Sequence, residues 1–227
     1  MQVIVPLAGP DLLSEKGFRP MTDYNGQPMI SSLLKRRNWH LSGEVQSQDY
    51  VFIIRTVSGV EKLETFLMHE FPGCSIIILS ALTQGALCSA LAGASLVKDF
   101  DAPICVDLAD IDYSSDFAPV KYFSENKKTY GALLTFTSSQ PKFSYLKVEG
   151  ENVLECVEKK VISDVASAGT YFYRDLHSFL LAAQESIRRR EQVMVKGSLF
   201  ICPSFNFLIQ NKLKVIHKPI HLIQSLS

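Results

Sequence analysis

"VPLAGPDLLSEKGFRPMTDYNGQPMI", residues 5–30, decides how this chain reads. It starts inside a short apolar strand, Val3 to Leu7, that runs directly into Ala8-Gly9-Pro10. In open α/β sheets a glycine loop at the C-terminal end of the first strand usually means phosphate. Backbone N–H groups there can point at an anion with no side chain in the way. This loop has one glycine, a proline and two leucines where a cradle wants glycines and a cation.

Working outward, the first half alternates. Strand-like runs at Val3–Leu7, Tyr50–Arg55, Ser75–Leu79 and Ile104–Leu108 are separated by helical patterns from Met29 to about Arg37, Val60 to His69 and Gly85 to Lys98. Apolar strands separated by helices predict a parallel sheet covered on both faces. The second half is different: "GALLTFTSS", "SYLKVEG", "NVLECVEKK" and "AGTYFYR" are closely spaced strands, with "GEN" at 150–152 as a hairpin turn. "DLHSFLLAAQESIRRR" reads as a helix starting at Asp175, and "KLKVIHK" as a last strand. The expectation is one α/β domain, a Rossmann-like doubly wound mixed sheet. In such sheets the ligand lies beyond the carboxyl ends of the strands.

Composition removes several classes. The 227 residues carry 23 basic and 23 acidic side chains, a formal net charge of zero. That balance points to neither nucleic acid nor an anionic membrane surface. Cys74, Cys88, Cys105, Cys156 and Cys202 are odd in number and lack a C-x-x-C pair, as buried thiols in a reducing compartment do. No basic stretch followed by an apolar one opens the sequence, so the expected location is cytoplasmic. The uncharged run from Cys74 to Val97 is long enough to span a bilayer. Its β-branched start, the Thr83-Gln84-Gly85 interruption and its small-residue remainder read better as buried strand, turn and buried helix.

Three stretches carry chemistry. In "PICVDLADIDY", Asp107, Asp110 and Asp112 follow a strand, where carboxylates face a ligand crevice; Asp110-Ile111-Asp112 also fits the D-x-D pattern of metal-dependent glycosyltransferases. A hard ion such as Mg2+ is held by one or two carboxylates plus phosphate oxygens. Three acids in six residues at this position point to a metal role for one of them, although a single post-strand Asp is ordinary. In "LTQGA", Gly85 admits a close approach and the Gln84 amide can both donate and accept, which suits a nucleobase edge; alone, the stretch is a helix start. In "VEKKVISD", Glu158 with Lys159 and Lys160 suits sugar hydroxyls and a phosphate, but Glu and Lys are also common on exposed strands.

Together these pieces resemble the sugar-1-phosphate nucleotidyltransferases, which make nucleoside-diphospho-sugars. That family opens with a strand, A-G-x-G-x-R, K-P-K-P and N-G-K-P-M-I; here the frame is Ala8-Gly9, Arg19-Pro20 and Asn25-Gly26-Gln27-Pro28-Met29-Ile30. Its P-T-Q-G-A turn is similar to Leu82–Ala86, and its N-S-D to Leu108-Ala109-Asp110. Its S-Y-x-K, E-K-K-P-I-S-D, G-x-Y-Y-F and Y-V-C-P-x-Y-N-x-L-I segments resemble Ser144–Lys147, Glu158–Asp164, Gly169–Tyr173 and "FICPSFNFLI". The resemblance runs from residue 3 to about residue 210 and rests on the order of the pieces.

The resemblance implies transfer of a nucleotidyl group from a nucleoside triphosphate to a sugar phosphate or similar acceptor, in nucleotide-sugar or surface-polysaccharide synthesis. It implies a nucleotide-binding half, 1–112, and an acceptor-binding half, 113–227. It places Ala8, Gly9, Gln84 and Gly85 on the nucleotide, and Glu158, Lys159, Lys160 and Gly169 on the substrate. Asp110 would bind Mg2+, and Arg19 would be the catalytic cation.

The departures fall at the loop. The second glycine and the arginine of G-x-G-x-R are missing, and the segment before Asn25 is about four residues short. Pro10 lacks an N–H, and Asp11 brings a negative charge toward a triphosphate. At about 5 Å and an effective dielectric of about 20, one like-charge contact costs roughly 3 kcal/mol. The family's W-x-x-G-T-P-x-D segment, with its second metal ligand, is also absent. The cradle reads as lapsed or repurposed. Two alternatives therefore stay open: a non-catalytic relative that binds nucleotide or a partner, and a glycosyltransferase-like protein using Asp110 and Asp112.

Overall fold

The structure, a computed structural model, describes residues 1–226. In chain order its main elements are β1 (Gln2–Pro6), α1 (Met29–Lys35), β2 (Tyr50–Arg55), α2 (Val60–Glu70), β3 (Ser75–Leu79), α3 (Ala86–Ala94), β4 (Ile104–Asp107) and β5 (Ile111–Ser114). They continue with α4 (Pro119–Glu125), β6 (Thr129–Thr137), β7 (Ser144–Glu149), β8 (Asn152–Glu158), β9 (Val165–Tyr173), α5 (Leu176–Arg188), α6 (Ile201–Gln210), β10 (Lys214–Pro219) and β11 (His221–Ser225). Residues 13–28, between β1 and α1, form short two-residue ladders.

The period-2 geometry of a strand explains the layers. Val3, Val5, Phe52 and Ile54 face one core with Ile30, Leu33, Leu34, Leu63 and Leu67 of α1 and α2. Ile4, Val51, Ile53 and Val106 face a second core with Leu87, Ala90, Phe179 and Phe205 of α3, α5 and α6. The helix α3 lies so close that a Cβ on Gly93 would stand 2.8 Å from both Ile4 and Ile53. The charge-free 74–97 run is thus strand, turn and buried helix. No described helix is long and apolar enough to cross a membrane.

One sheet of nine strands runs through the molecule. β3, β2, β1 and β4 lie side by side in that order and are parallel. β9 then pairs antiparallel to β4, and β6 antiparallel to β9. The change from parallel to antiparallel pairing after residue 113 matches the sequence pattern. β10 adds parallel to β6. The hairpin β7–β8 arches over this end and touches both sides, Tyr145 opposite Ala166 of β9 and Asn152 opposite Ile216 of β10. The Asp175 carboxylate caps α5 by accepting from the Ser178 N–H at 2.7 Å.

The strand order reverses between β1 and β4, which is the switch point where open α/β sheets bind ligands. The loop after β4 is pinned from below. Arg37, just past α1, donates to Asp107 through Nε (2.8 Å) and Nη2 (3.2 Å), and to the Ile111 carbonyl (3.1 Å). Its guanidinium lies 3.8 Å from the Tyr113 ring centre. Arg37 and Asp107 are both fully buried. Burial works against the Arg37 charge, but the Asp107 carboxylate outweighs it and holds the guanidinium protonated. Removing one partner of such a pair strands the other charge. Arg37→Ala should therefore cost about 3–5 kcal/mol in urea unfolding. Arg37→Lys, which loses the two-pronged contact, should also be clearly destabilised.

Candidate active site

The loops after β1 and β4 open onto a crevice of about 530 Å3 at the switch point. That volume lies in the range of small-molecule sites. One wall is Ala8 to Leu12; the others include Arg19, Thr83, Gly85, Asp110, Lys159 and the 195–200 segment. A second recess of about 220 Å3, lined by Glu158, Ser144, Lys142 and Gly169, shares Asp110 and Lys159 with the first. Asp110 stands at the seam between them.

Local chemistry puts it there. The Asp107 carboxylate, besides holding Arg37, accepts from the Ala109 N–H at 2.9 Å and turns Ala109 into a left-handed conformation (φ 51°). The next residue, Asp110, is thereby directed toward the crevice. Opposite it, Gly169 has φ 73°, and a Cβ there would come within 2.9 Å of the Asp110 Oδ1. This position needs glycine for both reasons. Asp110 Oδ1 is buried without a hydrogen-bond partner. Burial pushes the Asp110 carboxyl up to about 6; Asp107 adds to the rise, and Arg19 and Arg37 oppose it.

The other two acids of the stretch serve the fold. Asp107 is spent on Arg37. Asp112 is fully buried and accepts from Tyr24 Oη (2.9 Å) and Arg36 Nη1 (3.0 Å), away from the crevice. Asp110 lies in the loop before β5, just after the left-handed Ala109, and lines the crevice, whereas Asp112 on β5 does not, so the D-x-D pair is not brought together. Among the described residues no group of three or more His, Cys, Asp or Glu could hold a metal unaided. Asp110 with its unpartnered oxygen suits a metal that arrives with phosphate oxygens of its own.

The loop after β1 is shaped by Arg55, whose Nε and Nη2 donate to the carbonyls of Ala8 (3.3 Å) and Gly9 (3.4 Å). Asp11 forms an ion pair with Arg19, and Arg19 Nη2 donates to the Leu226 carbonyl at 3.0 Å. The Asp11 charge expected to face a triphosphate is therefore neutralised from within. Gly85 has φ 109°, and the Leu199 backbone packs so tightly against it that a Cβ would meet the Leu199 oxygen at 2.4 Å. Gln84 accepts the Leu199 N–H through its carbonyl at 2.7 Å, but the residue is exposed and does not line the crevice; Thr83 does.

Glu158 is buried in the second recess against the Ser144 hydroxyl, and burial pushes its carboxyl upward. Lys159 reaches over the Phe200 ring at 4.7 Å. Lys160 is exposed and lines neither recess, because successive side chains leave a strand end in different directions. Arg36, Arg37, Arg55 and Lys196 escaped the sequence reading. The adjacent arginines after α1, against three aspartates in six residues, were a signal; Arg55 and Lys196 left none.

The raised Asp110 pKa has a stability consequence. The native state keeps a proton that the unfolded chain releases between about pH 4 and pH 6, so stability falls as pH rises through that window. Asp110→Asn should raise unfolding stability at pH 7.5 by roughly 1–3 kcal/mol. The gain should shrink toward zero near pH 4, as measured by urea unfolding across pH.

No family model matches the sequence, and no curated protein sequence matches it significantly. Solved structures do match. A nucleoside-diphosphate-sugar pyrophosphorylase from Vibrio cholerae RC9 superposes with a TM-score of 0.79 at 23% identity, over 97% of this chain and 92% of that one. A UDP-glucose pyrophosphorylase complexed with UDP-glucose gives 0.68 at 15% identity, over 98% and 91%. An inositol-1-phosphate CTP transferase from T. maritima gives 0.63 at 11% identity, over 96% and 84%. At these identities the likeness is one of fold, and the chain has the fold of the nucleotidyltransferases that make nucleoside-diphospho-sugars.

Proposed function

We propose that the chain transfers a nucleotidyl group from a nucleoside triphosphate to a sugar phosphate or similar phosphorylated acceptor, as part of nucleotide-sugar or surface-polysaccharide synthesis. One observation carries the reading: Asp110, with a buried carboxylate oxygen lacking any partner, sits where the two recesses meet. The larger recess takes the nucleotide and the smaller one the acceptor. An acceptor phosphate oxygen attacks the α-phosphorus, the bond to the bridging oxygen breaks, and pyrophosphate leaves. Such in-line transfer depends on positioning and charge neutralisation.

Each residue then has a task. The N–H groups of Ala8 and Gly9, on a loop braced by Arg55, face the phosphates. Thr83 and Gly85 form the wall for the base. Glu158 and Lys159 orient the acceptor, with Gly169 keeping the space beside Asp110 open. Asp110 would hold Mg2+ together with phosphate oxygens, and that ion would offset charge developing at the reacting phosphorus.

The Arg19–Asp11 pair is partly exposed on both sides (29% and 57%). Exposed pairs are worth only about 0–1 kcal/mol, so a triphosphate can draw Arg19 away from Asp11. The loop's handicap is therefore smaller than the bare charge of Asp11 implies. The same pair also supports a second reading, nucleotide binding without turnover. Labelled pyrophosphate exchange separates the two.

Thermal-shift titration with the four triphosphates, with and without Mg2+, tests the proposal. A ligand at 100 times its Kd should add roughly 2.7 kcal/mol of stability. Asp110→Ala should abolish pyrophosphate exchange with the fold intact, and Mg2+-dependent binding to the natural protein should strengthen as pH rises through about 6. No binding at millimolar triphosphate would refute the reading. Asp11→Asn should tighten triphosphate binding by no more than about fivefold, and Arg19→Ala should weaken it; a large gain on Asp11→Asn would mean the pair is a true block.

A further inference from the structure

Backbone strain gathers at the crevice. Three of the five non-glycine residues with left-handed backbone among the described residues, Ala109 (φ 51°), Lys159 (φ 53°) and Lys196 (φ 50°), line it. Strain of this kind concentrates at functional sites. The Asp107 carboxylate accounts for Ala109, through its N–H. Lys159 is held by its N–H on the Phe143 carbonyl (3.1 Å) and by the Phe200 ring. For Lys196 the turn geometry sets the conformation, and what is unusual is the choice of lysine for it.

Lys196 and Gly197 are the central residues of a two-residue turn. Val195 and Ser198 close it by exchanging both backbone hydrogen bonds at 3.0 Å, and both central residues have positive φ (50° and 77°). Asn-Gly is the natural occupant of such a turn, since asparagine tolerates the left-handed region better than lysine. The turn is fixed in place. The next residue, Leu199, donates to the Gln84 carbonyl at 2.7 Å and accepts from the Leu87 N–H at 3.2 Å, at the start of α3. Lys196 is exposed, and among the described residues its ammonium takes part in no hydrogen bond or ion pair. The other crevice cations are engaged: Arg19 by Asp11 and the Leu226 carbonyl, Lys159 by Phe200.

We infer that Lys196 meets the polyphosphate of the nucleotide, and that lysine stands at this turn position in place of a better-suited residue because an ammonium is needed at that point of the crevice rim. This rests on the nucleotide-binding reading above and adds a contact from a segment more than a hundred residues beyond the phosphate loop. Lysine acts on phosphate as a point charge on a flexible stem. A fixed turn at its root limits where that charge can go.

Two variants of the full chain test it, Lys196→Asn and Lys196→Arg. Calorimetric titration would use inorganic tripolyphosphate, the four nucleoside triphosphates and the matching uncharged nucleosides, all with Mg2+. Lys196→Asn should raise the melting temperature by about 2 °C, because asparagine suits the turn. It should also weaken triphosphate and tripolyphosphate binding by about tenfold or more while leaving nucleoside binding unchanged. Lys196→Arg should keep affinity within about threefold of the natural protein. If Lys196→Asn binds triphosphate as tightly as the natural protein, or loses nucleoside affinity by the same factor, the assignment is wrong and the nucleotide reading survives. A fall in melting temperature would overturn the strain argument. Absence of polyphosphate binding to the natural protein would defeat both readings together.

Discussion

The buried contact between Arg37 and Asp107 is the constraint from which the site follows. Two charges removed from water need close mutual compensation, and within this pair, among the described contacts, only Nη1 of Arg37 is left without a partner. Here the guanidinium serves both carboxylate oxygens, a backbone carbonyl and an aromatic face. The carboxylate, for its part, also fixes the Ala109 N–H. That one bond bends the chain after β4 and delivers the next residue to the switch point. Neighbouring Arg36 performs a parallel service for Asp112. Two consecutive arginines thus tie the acidic stretch to the end of α1, and of its three aspartates only Asp110 lines the crevice.

Around Asp110 the crevice is nearly balanced in charge, and the balance is set by weak, exposed contacts. Arg19 is shared between a carboxylate and a backbone carbonyl, while Lys159 leans on an aromatic ring. A polyanion entering the crevice would meet cations that are already placed but lightly held. This differs from a glycine-rich cradle, where backbone donors alone do the holding. The loop of Ala8 to Leu12 contributes shape, and much of the charge comes from elsewhere in the chain.

The fold was readable because period and burial agree along each element. β1, β2 and β4 are apolar on both sides, as central parallel strands must be, and Gly93 marks where a helix presses on the sheet. The lining of the crevice was readable only where a residue type is demanded locally, as glycine is at 85 and 169, or where a carboxylate follows the central strand, as at 110. Three aspartates within six residues looked alike because spacing says nothing about which arginine each will meet. Gln84 is different: its amide suits a base edge, but its backbone bond to Leu199 fixes a turn that leaves the residue exposed and outside the crevice lining. The roles of Arg55 and Lys196 depend on contacts across tens of residues, and no short motif announces them.

The place of β10 in the sheet carries a consequence for synthesis on the ribosome. This strand, residues 214–219, lies along β6 and meets the arching hairpin at Ile216, so it completes the antiparallel end of the sheet. The β6 edge and the apolar underside of α6 therefore wait, uncovered, until nearly the whole chain has emerged. Segments that must wait for distant partners fold slowly and are exposed to misassembly in the interval. The parallel half, β1 to β4, closes mostly through contacts made earlier in translation. The nascent chain would thus acquire the loop after β1 and Asp110 well before the strand that completes the far end of the sheet, and the window between the two is when a holding chaperone has most to offer.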